Sequence, residues 1–332
     1  MNKTSRQLAI LASLLCTFAT TQAFAQQKKP LLPDGYPARP IRVIVSTAPG
    51  GGLDIITRAV GTKFGERTGA TIVVDNQGGA SGGIAINSVT GAAPDGYTLL
   101  SAGGTLLINA VFGRFERDVR AALIPLVRMS TSHYFLIVPS AFPANTFKEF
   151  LAHARANPGK LNYGSNGVGS VIHLGLELIE LGANLDMIHV PYKGNAQVYL
   201  DLVAGRLNVA LASVSGIQSV RAGKARILAT TRPQRVPEFP DIPTIAESGI
   251  PGYDVANTYM LYAHAQMPAT IVNALNRDLV QVIAAPDIKD KMAADGAVPA
   301  PPLTPAELKT AYIADYAKWE GVIRKAGVKP ED

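Results

Sequence analysis

The chain is predicted to be an α/β protein of two domains joined by two crossing strands. Short β-branched runs alternate with helical patterns along its length. Gly-rich turns stand between a strand and a helix in each half, and 332 residues suit two domains at about 150 residues each.

A leader over 26–39 precedes the first element. Ile41 to Ser46 reads as a buried strand, a Gly-rich turn follows, and Asp54 to Arg67 places Ile55, Ile56, Ala59, Val60 and Phe64 on one helical face. Thr71 to Val74 is the next strand. A second Gly-rich loop leads into a helix around Ile84 to Val89, and Pro94-Asp95-Gly96 turns into the strand Tyr97 to Leu100. This completes a βαβαβ unit.

The second series opens with the apolar run Phe135 to Val138 and the helix Thr146 to Ala156. Strand Leu161 to Tyr163, a helix near Ile172 to Leu181, strand Met187 to Val190 and helix Ala196 to Ala204 follow. Strand Leu207 to Leu211, a short helix and strand Ala225 to Ala229 complete it. Asn257 to His264 reads as a further strand, before helices Ala269 to Ala284, Ile288 to Ala294 and Pro305 to Lys325. The chain is expected to cross between domains near Ser130 to Phe135 and again near Val255 to Met260. Domain 1 is then 40–134 with 260–332, and domain 2 is 135–259.

A composition of 47% hydrophobic and 17% charged residues with one Cys excludes disorder, collagen and a disulfide scaffold. Mean hydropathy is +0.16, yet the one long apolar run lies at the N-terminus. There Lys3 and Arg6 precede the apolar stretch Leu8 to Ala19, and Ala23-Phe24-Ala25 is a small-x-small site. Residues 1–25 are read as a secretory signal cleaved after Ala25; polar Thr20, Thr21 and Gln22 interrupt the run before the roughly 20 residues a membrane anchor needs. Leu15 before Cys16 does not fit a lipoprotein site. Cleavage leaves 29 basic and 25 acidic residues and no cysteine, so no thiol nucleophile, disulfide or cysteine metal site is expected. Lys and Arg are scattered without a basic face, which favours attraction of anionic solutes over nucleic acid despite a pI of 9.3.

The loop Ala48-Pro49-Gly50-Gly51-Gly52-Leu53-Asp54 follows a strand and opens a helix. Such a loop presents backbone N–H groups and a positive helix end to a carboxylate or phosphate; the other reading is a tight turn with Asp54 favouring the first helical turn. Gly164-Ser165-Asn166-Gly167-Val168-Gly169-Ser170 repeats the device in the second domain. Two such loops would face each other across a cleft at the carboxyl ends of the strands. Asn76 to Gly83 could add donors or be an ordinary turn.

Gly79-Ala80-Ser81-Gly82-Gly83 matches the nucleophile-elbow pattern G-x-S-x-G, the basis of an exported α/β hydrolase as the alternative. None of the five histidines is placed by a second hydrolase element, and no catalytic residue is assigned. A dinucleotide site is disfavoured because Ile172 occupies the third glycine position after Gly167 and Gly169. His133, His153, His173, His189 and His264 lack metal-ligand spacing, so no metal or cofactor is expected. His173, in the first turn after the second Gly-rich loop, either lines the cleft or is structural.

From about Tyr36 onward the sequence resembles the periplasmic solute-binding proteins of tripartite tricarboxylate transporters, the Bordetella uptake gene (Bug) family. The resemblance is carried by Pro40-Ile41-Arg42, Gly50-Gly51-Gly52-Leu53-Asp54 with Arg58, Val74-Asp75-Asn76 and Pro94-Asp95-Gly96-Tyr97-Thr98-Leu99. It continues in Gly164-Ser165 with Gly167, Gly169-Ser170 and His173, then Val190-Pro191-Tyr192-Lys193-Gly194, Leu228-Ala229, Arg235, Pro243-Thr244 and Ala246-Glu247-Ser248-Gly249. It implies a periplasmic binding protein-like Venus flytrap, non-catalytic and monomeric, that delivers a small organic carboxylate to integral-membrane transporter subunits. It also implies that a ligand carboxyl is gripped by backbone amides and waters between the loops matching Ala48 to Gly52 and Gly164 to Ser170. A binding component of a sensor is the other role such a fold could serve.

The sequence departs from this family's usual residues at Thr47, where an aromatic is common, at Ser213 for Asn, at Asn208 for Asp, and at Gln77-Gly78 for Arg-Pro. The loss of an aromatic at Thr47 predicts a larger pocket or an added polar contact, and with it a bulkier, aromatic carboxylate; a dicarboxylic acid is the other ligand class expected. Ser213 and Tyr259 are candidates for the opposite wall, or a strand-end turn and a core aromatic respectively.

Overall fold

The computed structural model describes residues 32–330 apart from 34, 238 and 295, so the expected signal over 1–25, its cleavage site and leader residues 26–31 lie outside the described residues. The chain enters β1 (Ile41–Val45), then α1 (Gly52–Thr68), β2 (Ile72–Asn76), α2 (Gly83–Thr90) and β3 (Thr98–Gly103). Helices α3 (Thr105–Val111) and α4 (Val119–Ala122) lead to the long strand β4 (Leu123–His133), which the sequence pattern does not anticipate.

Beyond it run β5 (Phe135–Pro139), α5 (Phe147–Ala156), β6 (Asn162–Ser165), α6 (Val171–Ala183), β7 (Ile188–Pro191), α7 (Asn195–Val203), β8 (Val209–Ala212), α8 (Val214–Arg221) and β9 (Ala225–Thr230). Strand β10 (Ala256–His264), α9 (Ala269–Ile283), α10 (Pro286–Ala294), β11 (Val298–Pro299) and α11 (Pro305–Ala326) close the chain.

Among the described residues the strands form two sheets, ordered β11-β4-β10-β3-β1-β2 and β7-β6-β8-β5-β9. Within them β2-β1-β3 and β7-β6-β8 are parallel. Strand β10 runs antiparallel to β3 and β4, and β5 antiparallel to β8 and β9. The sheets are therefore mixed where the alternating pattern suggested parallel construction. Strands β10 and β5 each arrive from the other sheet, so the right-handed helical crossover that imposes parallel pairing does not connect them to their neighbours, and the two-residue β11 adds a further antiparallel pair at the edge beside β4.

Local chemistry fixes the helix ends. Thr304 accepts from the Glu307 N–H while Glu307 reaches back to the Thr304 N–H, and Pro305 stands in the first turn of α11. Ser170 caps α6 by accepting from the His173 N–H, whereas Gly51, the N-cap of α1, offers no capping side chain. The core between sheets and helices includes fully buried Ile44, Leu100, Phe147 and Phe150, each worth about 1.5–3 kcal/mol relative to exposure. Helices α9 and α10 pack on α1, while α11 touches β4 and α3 and also α6.

The two connections between sheets are bonded to each other. β4 ends at His133 and β5 begins at Phe135, leaving Tyr134 as the link. Tyr134 N–H donates to Thr231 Oγ1 at 2.8 Å, the Thr231 N–H donates to the Tyr134 carbonyl at 2.9 Å, and the Val255 N–H donates to the Thr231 carbonyl at 3.3 Å. Thr231 is fully buried at this junction.

Candidate functional site

The parallel strands β1, β2 and β6 end at one cleft, because loops at the carboxyl ends of parallel strands emerge on the same sheet edge. The cleft holds a cavity of about 550 Å³, lined from both halves of the molecule, within the range of small-ligand sites.

On the first wall stand Thr47, Gly51, Gly52 and Leu53. Asp54 does not line the cavity. It is buried beneath the loop, where Oδ2 accepts the Gly50 N–H at 2.9 Å and Oδ1 accepts Arg58 Nε at 2.9 Å and Asn76 Nδ2 at 3.0 Å. Burial raises its pKa, but these hydrogen bonds and the Arg58 charge outweigh it and hold the carboxyl below its ordinary range. Asn76 Nδ2 also donates to the Thr47 carbonyl at 3.1 Å. Asp54 thus ties loop, helix and β2 together, and Gly50, at φ +85°, supplies the left-handed turn that aims its N–H inward. Ala48, Pro49 and Gly50 lie outside the cavity lining.

On the second wall Asn166, Val168, Gly169, Ser170 and Val171 line the cavity. Ser165, Gly167 and His173 form the layer behind. Ser165 Oγ accepts the Gly167 N–H at 3.2 Å and lies 2.7 Å from His189 Nε2. His173 is buried, and its Nδ1 accepts the Gly169 N–H at 3.0 Å, leaving Nε2 to carry the proton towards Glu177 Oε1 at 3.3 Å. Its imidazole stacks on His189 with centroids 3.7 Å apart. His173 is not among the residues that line the cavity.

Tyr259 lines the cavity; Ser213 does not, its N–H donating to Tyr199 Oη at 3.1 Å at the end of β8. The third loop contributes Gly79, Ser81 and Gly82. Ser81 holds a left-handed backbone, φ +55°, and its Oγ accepts Arg114 Nη1 at 3.0 Å, while Asn109 Nδ2 donates to its carbonyl at 3.0 Å.

Sequence reasoning missed Asn109, Arg114, Tyr134, Asn195 and Asn257, all of which line the cavity. Asn195 had a local signal, since it opens α7 directly after β7 and Lys193-Gly194, by the same strand-to-helix logic as the two Gly-rich loops. Arg114 had none; it follows α3 and reaches the cleft through tertiary placement. Among the described lining residues Arg114 is the one charged side chain, and no carboxylate lines the cavity. Burial, with Tyr199 and Tyr259 nearby, pushes the Tyr134 hydroxyl up, so it stays a neutral phenol. Neutral donors, one guanidinium and an uncapped helix N-terminus suit an anion. Among the described residues no group of three or more His, Cys, Asp or Glu could hold a metal.

The sequence profile of the tripartite tricarboxylate transporter family receptor (TctC) matches residues 56–328. The protein BugT of Bordetella pertussis is 30% identical over 99% of this chain and 99% of its own. A TctC solute binding protein from Polaromonas superposes with a TM-score of 0.80 at 26% identity, covering 87% of this chain and 99% of that one. A protein of R. palustris solved with adipate superposes with a TM-score of 0.71 at 29% identity, covering 89% of this chain and 100% of that one. The two-domain flytrap expected from the sequence is the fold these structures share with it.

Proposed function

The chain belongs to the tripartite tricarboxylate transporter receptor (TctC) family, and from that premise we propose that it captures a small organic carboxylate in the periplasm and passes it to the membrane subunits of a tripartite tricarboxylate-type transporter. The observation that carries this is the cleft itself. Helix α1 opens into it at Gly51 without a capping side chain, Arg114 stands on its wall, and among the described lining residues no carboxylate opposes an anionic ligand. The adipate of the R. palustris structure supports a dicarboxylate as one ligand class. The small Thr47 on the wall leaves room for an aromatic acid as the other.

A ligand carboxyl is expected against Gly51, Gly52 and Leu53, with Arg114, Asn166, Ser170 and Asn195 receiving the remaining oxygens. Asp54 and His173 hold the two loops in place. Closure pivots on the paired connections at Tyr134 and Thr231 and excludes water from the ligand. The chain carries out no chemistry on it. Ser81, the residue of the hydrolase alternative, has its Oγ on Arg114, which cannot take up a proton as a general base must.

The test is thermal unfolding of the chain from Gln26 onward against aliphatic and aromatic mono-, di- and tricarboxylates. A ligand at a hundred times its Kd stabilises the native state by about 2.7 kcal/mol. A clear shift from one class, with the acid recovered unchanged, is expected. No shift from any acid, or consumption of an ester substrate that Ser81→Ala abolishes, would overturn the reading.

A further inference from the structure

Behind the cleft, on the far side of the two connections, lies a second cavity of about 320 Å³. It is lined by side chains from β4, from the segments flanking the second connection and from α11. Its charged members are Arg128, Arg232, Lys318, Asp254 and Asp315, with His133 beside them. Arg128 Nη2 pairs with Asp315 Oδ2 at 3.0 Å, and His133 Nε2 lies 3.0 Å from Asp254 Oδ1, so both carboxylates are engaged. Lys318 Nζ donates to the Asp254 backbone carbonyl at 3.1 Å. Among the described residues Arg232 makes no ion pair, and the Nε atoms of Arg128 and Arg232 are both buried without a hydrogen-bond acceptor.

Three fixed cations therefore face two carboxylates, and two buried guanidinium donors face no acceptor. Desolvated charged donors of this kind are costly when unpaired. A planar or tetrahedral oxyanion in the cavity supplies the missing negative charge and a partner for the Arg232 guanidinium, which makes no ion pair among the described residues. We propose that this cavity is a second ligand site, distinct from the cleft, that binds a small oxyanion of the phosphate, sulfate or short dicarboxylate type. Such an anion touches both connections and the C-terminal helix at once. Its binding is then linked to the angle between the domains, and the linkage is reciprocal with whatever occupies the cleft.

The experiment is isothermal titration calorimetry of the chain from Gln26 onward with sodium phosphate, sodium sulfate and sodium malonate, ionic strength held constant with sodium chloride. Three variants are compared with the wild type: Arg232→Gln, Lys318→Gln and Arg114→Gln, the last removing the cation of the cleft. The expected result is saturable binding of at least one of the three anions, weakened tenfold or more by Arg232→Gln, weakened three- to tenfold by Lys318→Gln, and kept in Arg114→Gln. Arg232 is partly exposed and its guanidinium makes no ion pair among the described residues, while its N–H, which donates to Thr230 Oγ1, is kept in the variant, so the variant is expected to fold, which circular dichroism checks; the lysine variant carries the test if it does not. No saturable binding by the wild type would overturn the proposal. So would binding lost in Arg114→Gln but unchanged in Arg232→Gln and Lys318→Gln, which would place the anion in the cleft. Neither result depends on which carboxylate the cleft accepts.

Discussion

The ring of Phe112, at the end of α3 on the first domain, lies against the Cα of Gly169 in the second Gly-rich loop, so that a Cβ on Gly169 would stand 3.1 Å from Phe112 Cζ and closer still to Cε2. The contact spans the cleft. Gly169 also has φ +72°, and its N–H is held by His173 Nδ1. One residue thus meets a steric limit from across the cleft and a backbone limit from its own turn.

Gly169→Ala is accordingly expected to lose about 1–3 kcal/mol of stability from the left-handed backbone alone, and to weaken carboxylate binding at least tenfold because Phe112 must withdraw. Adding Phe112→Ala relieves the collision while leaving the backbone penalty. Calorimetric titration of both variants checks this: affinity should recover in the double variant while the melting temperature stays depressed.

Removal of the Asp54 charge should loosen the first loop. Asp54→Asn leaves an amide facing one of three donors, from Gly50, Arg58 and Asn76, and about 1–3 kcal/mol of stability is expected to go. The folded-state pKa of Asp54 is depressed below its ordinary 3.8. Its contribution is therefore complete above the ordinary carboxylate range and lost as pH falls through the lower folded value. Urea unfolding should show the gap between wild type and variant widest near neutrality and narrowing below about pH 4.

On α6 and β7 two groups titrate in opposition. Burial, with Glu177 and Asp186 nearby, pushes Glu180 up to about 7, and burial, with His173 alongside, pushes His189 down to about 4. The raised acid contributes stability that is lost as pH rises from its ordinary 4.5 through 7, whereas the depressed histidine loses stability as pH falls from 6.5 through 4. The two slopes offset each other in the wild type. Glu180→Gln, which keeps an oxygen for the Met187 N–H, should gain stability relative to the wild type at pH 8 compared with pH 5. In that variant stability should rise with pH between about 4 and 6.5, a rise that denaturant unfolding across the range will show or exclude.

Thr47→Tyr restores an aromatic at the cavity wall. Overpacking a formed site costs roughly 1–3 kcal/mol, so aromatic acids should lose about tenfold or more in affinity while short aliphatic dicarboxylates lose less. Equal losses for both ligand classes in competition titrations would show that Thr47 does not set pocket size.

Much of the fold is legible because it is written in local periodicity. The run from Ile41 and the stripe of α1 announce β1 and α1, and Ile56, Ala59, Val60 and Phe64 are buried as their spacing requires, whereas Ile55, expected on the same face, is 49% exposed because it lies about 100° round the helix from Ile56. Strand β4 escapes notice because Pro125 interrupts its pattern. The chain accommodates that proline where the β4–β10 pairing shifts register, between Leu261 and Tyr262.

The candidate site divides in the same way. The sequence by itself determined the two Gly-rich turns, since glycine and a strand-to-helix junction within a dozen residues suffice to present backbone donors, and it determined the family through motifs such as Gly50-Gly51-Gly52-Leu53-Asp54. Only the tertiary structure decided which residues face the cavity. It turned Asp54 and His173 inward as supports, brought Arg114 and Asn257 from far along the chain to the wall, and set Phe112 on Gly169. Periodicity and turn chemistry act over a few residues, whereas the meeting of loops follows from sheet order and from two connections that carry the chain out and back.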